Sequence, residues 1–152
     1  MTCIVATASF VAADRRITDE LHEAGTMRKV GKNKHLIAGT AGNASSVLAV
    51  LALLKKGAET PEDLLEGIDK DSVALVLTTE GKLWKCVKDE AWACPLGSIE
   101  AIGSGGDLAY AWLHGYYQVA KPVPSVKDVR TAIKFAASRR VDCGGGVDVR
   151  HF

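Results

Sequence analysis

The sequence predicts an α+β fold, a four-layer α/β/β/α sandwich in which two stacked antiparallel sheets lie between helix layers. Two observations point to it. The elements read from hydrophobic periodicity run strands, two helices, strands, two helices, strand. That order is neither the strict βα alternation of a parallel doubly wound sheet nor an all-β pattern, and two face-to-face sheets with helices outside each accommodate it. A chain of 152 residues with 47% hydrophobic content buries one substantial core and is too short for two ordinary ones, so residues 1–152 are read as a single domain.

Residues 2–14, TCIVATASFVAAD, hold two short β-prone runs about the small pair Ala8-Ser9. Ile4, Val5, Phe10 and Val11 are the apolar anchors, and the segment reads as a hairpin. Residues 15–26, RRITDELHEAGT, are polar and broken by Gly25, and read as a surface connection. MRKV and HLIAGTAG flank the turn-rich GKNK to give a second hairpin. The run ASSVLAVLALLKK sets Val47, Leu48, Leu51 and Leu54 at helical spacing, with Asn43 or Ser45 to cap its start and Gly57 to end it. It is apolar on most sides, which predicts deep burial. TPEDLLEGI adds a short helix with Thr60 as N-cap, Pro61 at the tolerated first position, and Glu62 and Asp63 at the positive end of the dipole.

SVALVLTT and KLWKCV read as strands about a Glu80-Gly81 turn, and a further strand includes residues 98–103, SIEAIG. GSGGD then opens a helix through LAYAWLHGYYQV. Another helix starts at Ser125, with Asp128 three residues on as a variant capping box, and runs to about Arg139. After glycines 144–146, VDVRHF forms a last strand.

The 19 basic residues stand against 18 acidic ones, too even a balance to predict a nucleic-acid partner or an anionic membrane surface. No run approaches the roughly 20 apolar residues that span a bilayer. The opening MTCIVATASF lacks the charged start of a secretory signal, so the expectation is a soluble cytoplasmic protein. Cys3, Cys86, Cys94 and Cys143 form no C-x-x-C pair and have no histidine at zinc spacing. They read as free thiols of a reducing compartment, with no structural metal.

The candidate reactive group is Thr2. Removal of Met1 leaves it with a free α-amine beside its own hydroxyl, so that one residue supplies both nucleophile and proton acceptor. Such an amine has an ordinary pKa of about 7.7 to 8.0 and is partly neutral at physiological pH. Taken alone, a threonine after an initiator methionine reads more simply as an ordinary β-branched strand residue.

Four segments, in order, change that weighing. They are Thr2-Cys3-Ile4-Val5-Ala6; Ala13-Asp14-Arg15 with Thr18; Arg28-Lys29-Val30 followed by Ile37-Ala38-Gly39-Thr40-Ala41-Gly42; and Ala101-Ile102-Gly103-Ser104-Gly105-Gly106 at a strand-to-helix junction. Together they resemble the mature start, the G-D-x-x-x-T turn, the R-K-V hairpin with its A-G-x-x-G segment, and the A-I-G-S-G-G signature of the proteasome β-subunit family. This is a family of N-terminal-nucleophile (Ntn) hydrolases, and the closest likeness is to its bacterial HslV branch, which also begins directly at the threonine. The first hairpin is about four residues shorter than the family's usual one. Alanine stands where a glycine normally precedes Asp14, and Gly144 stands where a serine is common.

The resemblance implies a threonine-type endopeptidase that needs no cofactor, acts on unfolded polypeptide, and forms a homo-oligomeric ring served by a separate ATP-dependent unfoldase. It implies that Lys29 lies beside Thr2, disfavouring protonation of the amine and stabilising the alkoxide, and that Asp14 pairs with Lys29. Ser104 and Asp142 would order the proton path, the Gly42 amide would face the oxyanion, and Gly39 and Thr40 would border the substrate pocket. Near the C-terminus two alignments stand open, one matching Asp142 to the family aspartate and the other placing Arg140 there.

Plainer readings accompany each. Lys29 sits in a basic cluster with Arg28, Lys32 and Lys34 that also suits a solvated hairpin, and Asp14 is also a good turn residue. Ser104 also suits a helix start, and the glycines near Asp142 suit a loose turn. The runner-up function is a catalytically silent structural or assembly subunit that retains Met1, since resemblance speaks to fold before activity. A nucleotide site at GSGGD is disfavoured because the motif is neither G-x-G-x-x-G nor G-x-x-x-x-G-K-[ST]. Zinc held by Cys86, Cys94, His22 and His35 fits no ligand spacing.

Overall fold

A computed structural model describes residues 2–19, 22–117 and 123–152. The chain opens with the hairpin β1 (Ile4–Ala6) and β2 (Phe10–Asp14), closed by the Thr7 hydroxyl accepting from the amides of Ser9 and Phe10. Next come β3 (Arg16–Asp19) and β4 (His22–Thr26), then the hairpin β5 (Val30–Lys32) and β6 (Leu36–Ala41). Asn33 makes the turn of that second hairpin, its side-chain oxygen accepting from the amides of His35 and Leu36 at 2.8 Å. Helix α1 (Ala44–Lys56) follows and ends at Gly57, which takes the left-handed conformation at φ 99° and donates to the Leu53 and Leu54 carbonyls.

A 3-10 helix over Pro61–Gly67 starts in a capping box between Thr60 and Asp63. Strands β7 (Val73–Thr78), β8 (Leu83–Val87), β9 (Glu90–Ala93) and β10 (Glu100–Ile102) lead to α2 (Gly106–Tyr117) and α3 (Val126–Arg139). The capping box at the start of α3 joins Ser125 to Asp128, and β11 (Val147–His151) completes the fold.

Two antiparallel sheets result, in the orders β10-β1-β2-β11 and β5-β6-β7-β8-β9, with β3-β4 as a separate ribbon. The period-2 alternation of side chains sorts the apolar residues into three cores. Ile4, Val11 and Ala13 meet Ile37, Leu75 and Leu77 between the sheets. Val5, Phe10 and Ala12 turn the other way, onto Leu113, Val129 and Ile133 of α2 and α3. Leu36, Ala38 and Val76 face Val50, Leu54 and Leu64 under α1 and the 3-10 helix. Three apolar cores therefore separate four layers, the predicted α/β/β/α sandwich. Each fully buried Val, Leu or Ile contributes about 1.5–3 kcal/mol relative to exposure.

Several local expectations are corrected. Residues 15–26 are not a plain connection, because β3 and β4 pair across them with a register shift at Ile17/Thr18. β9 is an additional edge strand paired with β8. Helix α1 is not buried all round, since Leu48 is 60% exposed. Asn43 is its N-cap residue, but its side chain donates to Asp69 instead of capping. The predicted extension of α2 beyond residue 117 and the placement of Met1 lie outside the described residues. Among the described residues, no helix is long and apolar enough to cross a membrane.

Candidate active site

β1 starts two residues after Thr2 and is an inner strand, between β10 and β2, so the Thr2–Cys3 peptide is gripped from both sides. The Cys3 amide donates to Asp14 Oδ1 at 2.8 Å, and the Asp14 amide donates back to the Cys3 carbonyl at 3.0 Å. Asp14 ends β2 and is fully buried. Its Oδ1 also takes the Lys29 ammonium at 3.0 Å, while Oδ2 accepts the amides of Gly144 at 2.9 Å and Arg16 at 3.3 Å. Four donors thus compensate the desolvation of this carboxylate.

Lys29 is 3% exposed and enters from just ahead of β5, where its carbonyl accepts from the Thr40 amide at 3.1 Å. The Cys3 amide and the Lys29 ammonium share one carboxylate oxygen. They stand no farther apart than those two hydrogen bonds laid end to end, which puts the cation beside the Thr2–Cys3 peptide. Burial pulls Lys29 below its ordinary pKa, and the charge and hydrogen bond of Asp14 oppose that pull.

The turn from β10 into α2 closes over Thr2. The Gly105 amide donates to the Thr2 carbonyl at 3.2 Å. Gly103 has φ +87°, and a Cβ there would strike the Thr2 carbonyl oxygen and lie 2.7 Å from its carbon. Glycine is therefore required at 103 by backbone conformation and by close approach together.

Ser104 Oγ lies 3.8 Å from the Cys143 sulfur, a contact in which either group can donate, and the Cys143 thiol reaches Asp142 Oδ1 at 3.8 Å. Burial pushes the Cys143 thiol up to about 11, and burial, first of all, also raises Cys3. All four cysteines are free. Asp142 is 4% exposed, whereas Arg140 points outward to Asp107 at 3.4 Å. Cys143 was not expected from sequence. The available signal was its place in the segment 140–144, where two alignments stood open.

Gly42, Gly39 and Thr40 lie along β6 and its exit. Gly42 is exposed, at φ +122°, and a Cβ there would strike Ser72 Oγ and stand 2.6 Å from Ser72 Cα. A Cβ on Gly39 would stand 2.9 Å from Ile4 Cγ2, so β6 crosses close over β1 two residues past Thr2. Thr40 is buried and joins the cluster through its backbone bond to Lys29. Thr2, Asp14, Lys29 and the 103–105 turn thus form one bonded cluster, with Ser104, Cys143 and Asp142 chained beside it. Gly42 lies outside those bonds.

No family model matches this chain, and no curated protein matches it. Solved structures do. The crystal structure of eukaryotic HslV from Trypanosoma brucei is similar over 98% of this chain and 97% of that one, with TM-score 0.71 and 22% identity. Thiobacillus denitrificans BPH in complex with epoxomicin matches over 99% and 97%, with TM-score 0.74 and 13% identity. A second structure of that protein, described without epoxomicin, gives TM-score 0.67 and 14% identity over 99% and 96%. On these matches, made over nearly the whole length of each chain, the protein has the proteasome-like Ntn-hydrolase fold.

Proposed function

We propose that this chain is a threonine-type N-terminal-nucleophile endopeptidase for unfolded polypeptide, with Thr2 as the nucleophile once Met1 is removed. The observation that carries this reading is the convergence of Lys29 and Asp14 on the Thr2–Cys3 peptide, inside a fold similar to that of a protein solved with epoxomicin. The Thr2 hydroxyl attacks the scissile carbonyl and passes its proton to the Thr2 α-amine. The Lys29 ammonium keeps that amine neutral and favours the alkoxide. The tetrahedral oxyanion forms against the Gly42 amide, and collapse expels the substrate amine, which takes the proton. Water then hydrolyses the threonine ester and restores the enzyme.

Ser104, with Cys143 and Asp142 behind it, orders the proton path, and Gly39 and Thr40 border the substrate's approach. Bond cleavage calls on no cofactor. The domain spans residues 1–152 and works in the cytoplasm as a homo-oligomeric ring fed by a separate ATP-dependent unfoldase, with neither nucleic acid nor membrane as partner.

Thr2 is 3% exposed. That observation favours a second reading, a catalytically silent structural subunit that keeps Met1. Intact-mass measurement with and without an epoxyketone such as epoxomicin separates the two. The peptidase shows loss of Met1 and one probe adduct, absent from Thr2→Ala. Retained Met1 with no adduct assigns the silent subunit.

A further inference from the structure

Charge is unevenly placed across the outer face of the five-stranded sheet. α1 packs on β5 and β6, toward one edge, and the 3-10 helix packs on β8 and β9, toward the other. At the β5 edge, Gly31 lies against Leu51 and Leu54 of α1, and a groove of about 840 Å³ opens beside them. Its walls carry Arg15, Arg28, Lys32, Lys34, Lys55 and Arg150, with no carboxylate among the lining residues. Its floor includes Leu51, Ala52 and Leu48, the residue that leaves α1 exposed. Asp148 engages Arg15 at 3.1 Å and Arg28 at 3.9 Å, and Lys32 donates to the His151 carbonyl at 2.7 Å.

On the other flank of α1, Gly67 of the 3-10 helix lies against Ala49, Val50 and Leu53. This segment is a ridge between two hollows. One, of about 480 Å³, is lined by Glu62, Asp63 and Glu66 with Lys56. The other, of about 320 Å³, carries Glu59, Glu62 and Glu80 with His35 and Lys82. At the ~2.0 Å rise of a 3-10 helix, its seven residues make a ridge about 14 Å long.

We propose that the basic groove receives the acidic 3-10 ridge of a second copy of this chain. Groove and ridge complement each other in charge and in relief. They are different patches on opposite flanks of α1, so the contact is head to tail. Its repetition closes a ring or continues as a filament. Exposed charges dominate it, so encounter is electrostatically steered and weakens as salt screens them. The proposal does not require Thr2 to react, and assembly is measured separately from labelling.

Two double variants test it in the full chain, Lys34→Glu/Lys55→Glu and Glu62→Lys/Glu66→Lys, with light scattering and sedimentation as readouts and circular dichroism as the check of folding. Wild type assembles at ~50 mM salt and dissociates toward ~0.5 M. Each variant alone stays folded and associates at least about tenfold more weakly. An equal mixture of the two forms a heterodimer, because the unaltered ridge of the groove variant meets the unaltered groove of the ridge variant. Assembly of either double variant like wild type, or failure of the folded mixture to pair, overturns the proposal. So does a wild type that stays monomeric while its groove takes up an added Glu/Leu peptide, which would assign the groove to a different partner.

Discussion

Lys29 and Asp14 form an ion pair at 3.0 Å with both side chains buried, and the carboxylate oxygen that holds the lysine also holds the Cys3 amide. The pair is therefore part of the backbone anchorage of the first strand as well as of the chemistry proposed for Thr2. Its two halves are not equivalent. Asp14 keeps three backbone donors if the lysine goes, whereas the lysine loses its carboxylate if Asp14 goes.

Asp14→Ala is expected to cost about 3–5 kcal/mol, the usual penalty for breaking a buried pair on one side. Lys29→Met should cost less. Urea denaturation of both variants checks the order, and equal losses would contradict the asymmetry.

The lowered pKa of Lys29 has a consequence for stability against pH. Its folded value lies below the ordinary 10.5 expected for the unfolded chain. Between the two values the unfolded chain binds more protons, so stability rises with pH there. The desolvation penalty on the charged amine is present in full below the folded value and is relieved as pH climbs toward 10.5. The unfolding free energy of wild type relative to Lys29→Met should therefore increase through that window. A flat difference would count against it.

Gly103→Ala drives a methyl group into the Thr2 carbonyl at a backbone angle that alanine disfavours. The expected cost is about 1–3 kcal/mol of stability. Epoxyketone labelling should also fall by about a hundredfold, since a misplacement on the order of 1 Å suffices for that loss. Labelling kinetics together with circular dichroism check it, the helices being expected to persist.

Leu75→Ala empties a fully buried position between the sheets and should cost about 2–5 kcal/mol. Leu48→Ala, at a position 60% exposed, should change folding stability by no more than about 0.5 kcal/mol. Denaturation at high salt reads both.

Where an element is buried and bounded by turn residues, its sequence announced it. β1, β2, β6 and β7 read as continuous apolar runs because each lies between two apolar layers, and α1 and α3 carry their stop and start signals in Gly57 and Ser125. β3 and β4 were illegible because their ribbon pairs with neither sheet, so no apolar stripe marks it. β9 is a four-residue edge strand of Glu90, Ala91, Trp92 and Ala93 with little burial to write into its sequence. The link from Asp14 to Lys29 was legible only through the motif set, since contacts between residues 15 positions apart leave no local pattern. Cys143 was missed because a buried thiol usually reads as packing. Its sulfur meets Ser104 across 39 residues, a contact that leaves no local pattern.

β1 sends Ile4 into one core and Val5 into another. A slip of this strand by one position would exchange the two sets at once, pushing each wrong-sized side chain into the other's space. Two independent oil drops therefore proofread the register of this strand, and a misthreaded copy is rejected as unstable.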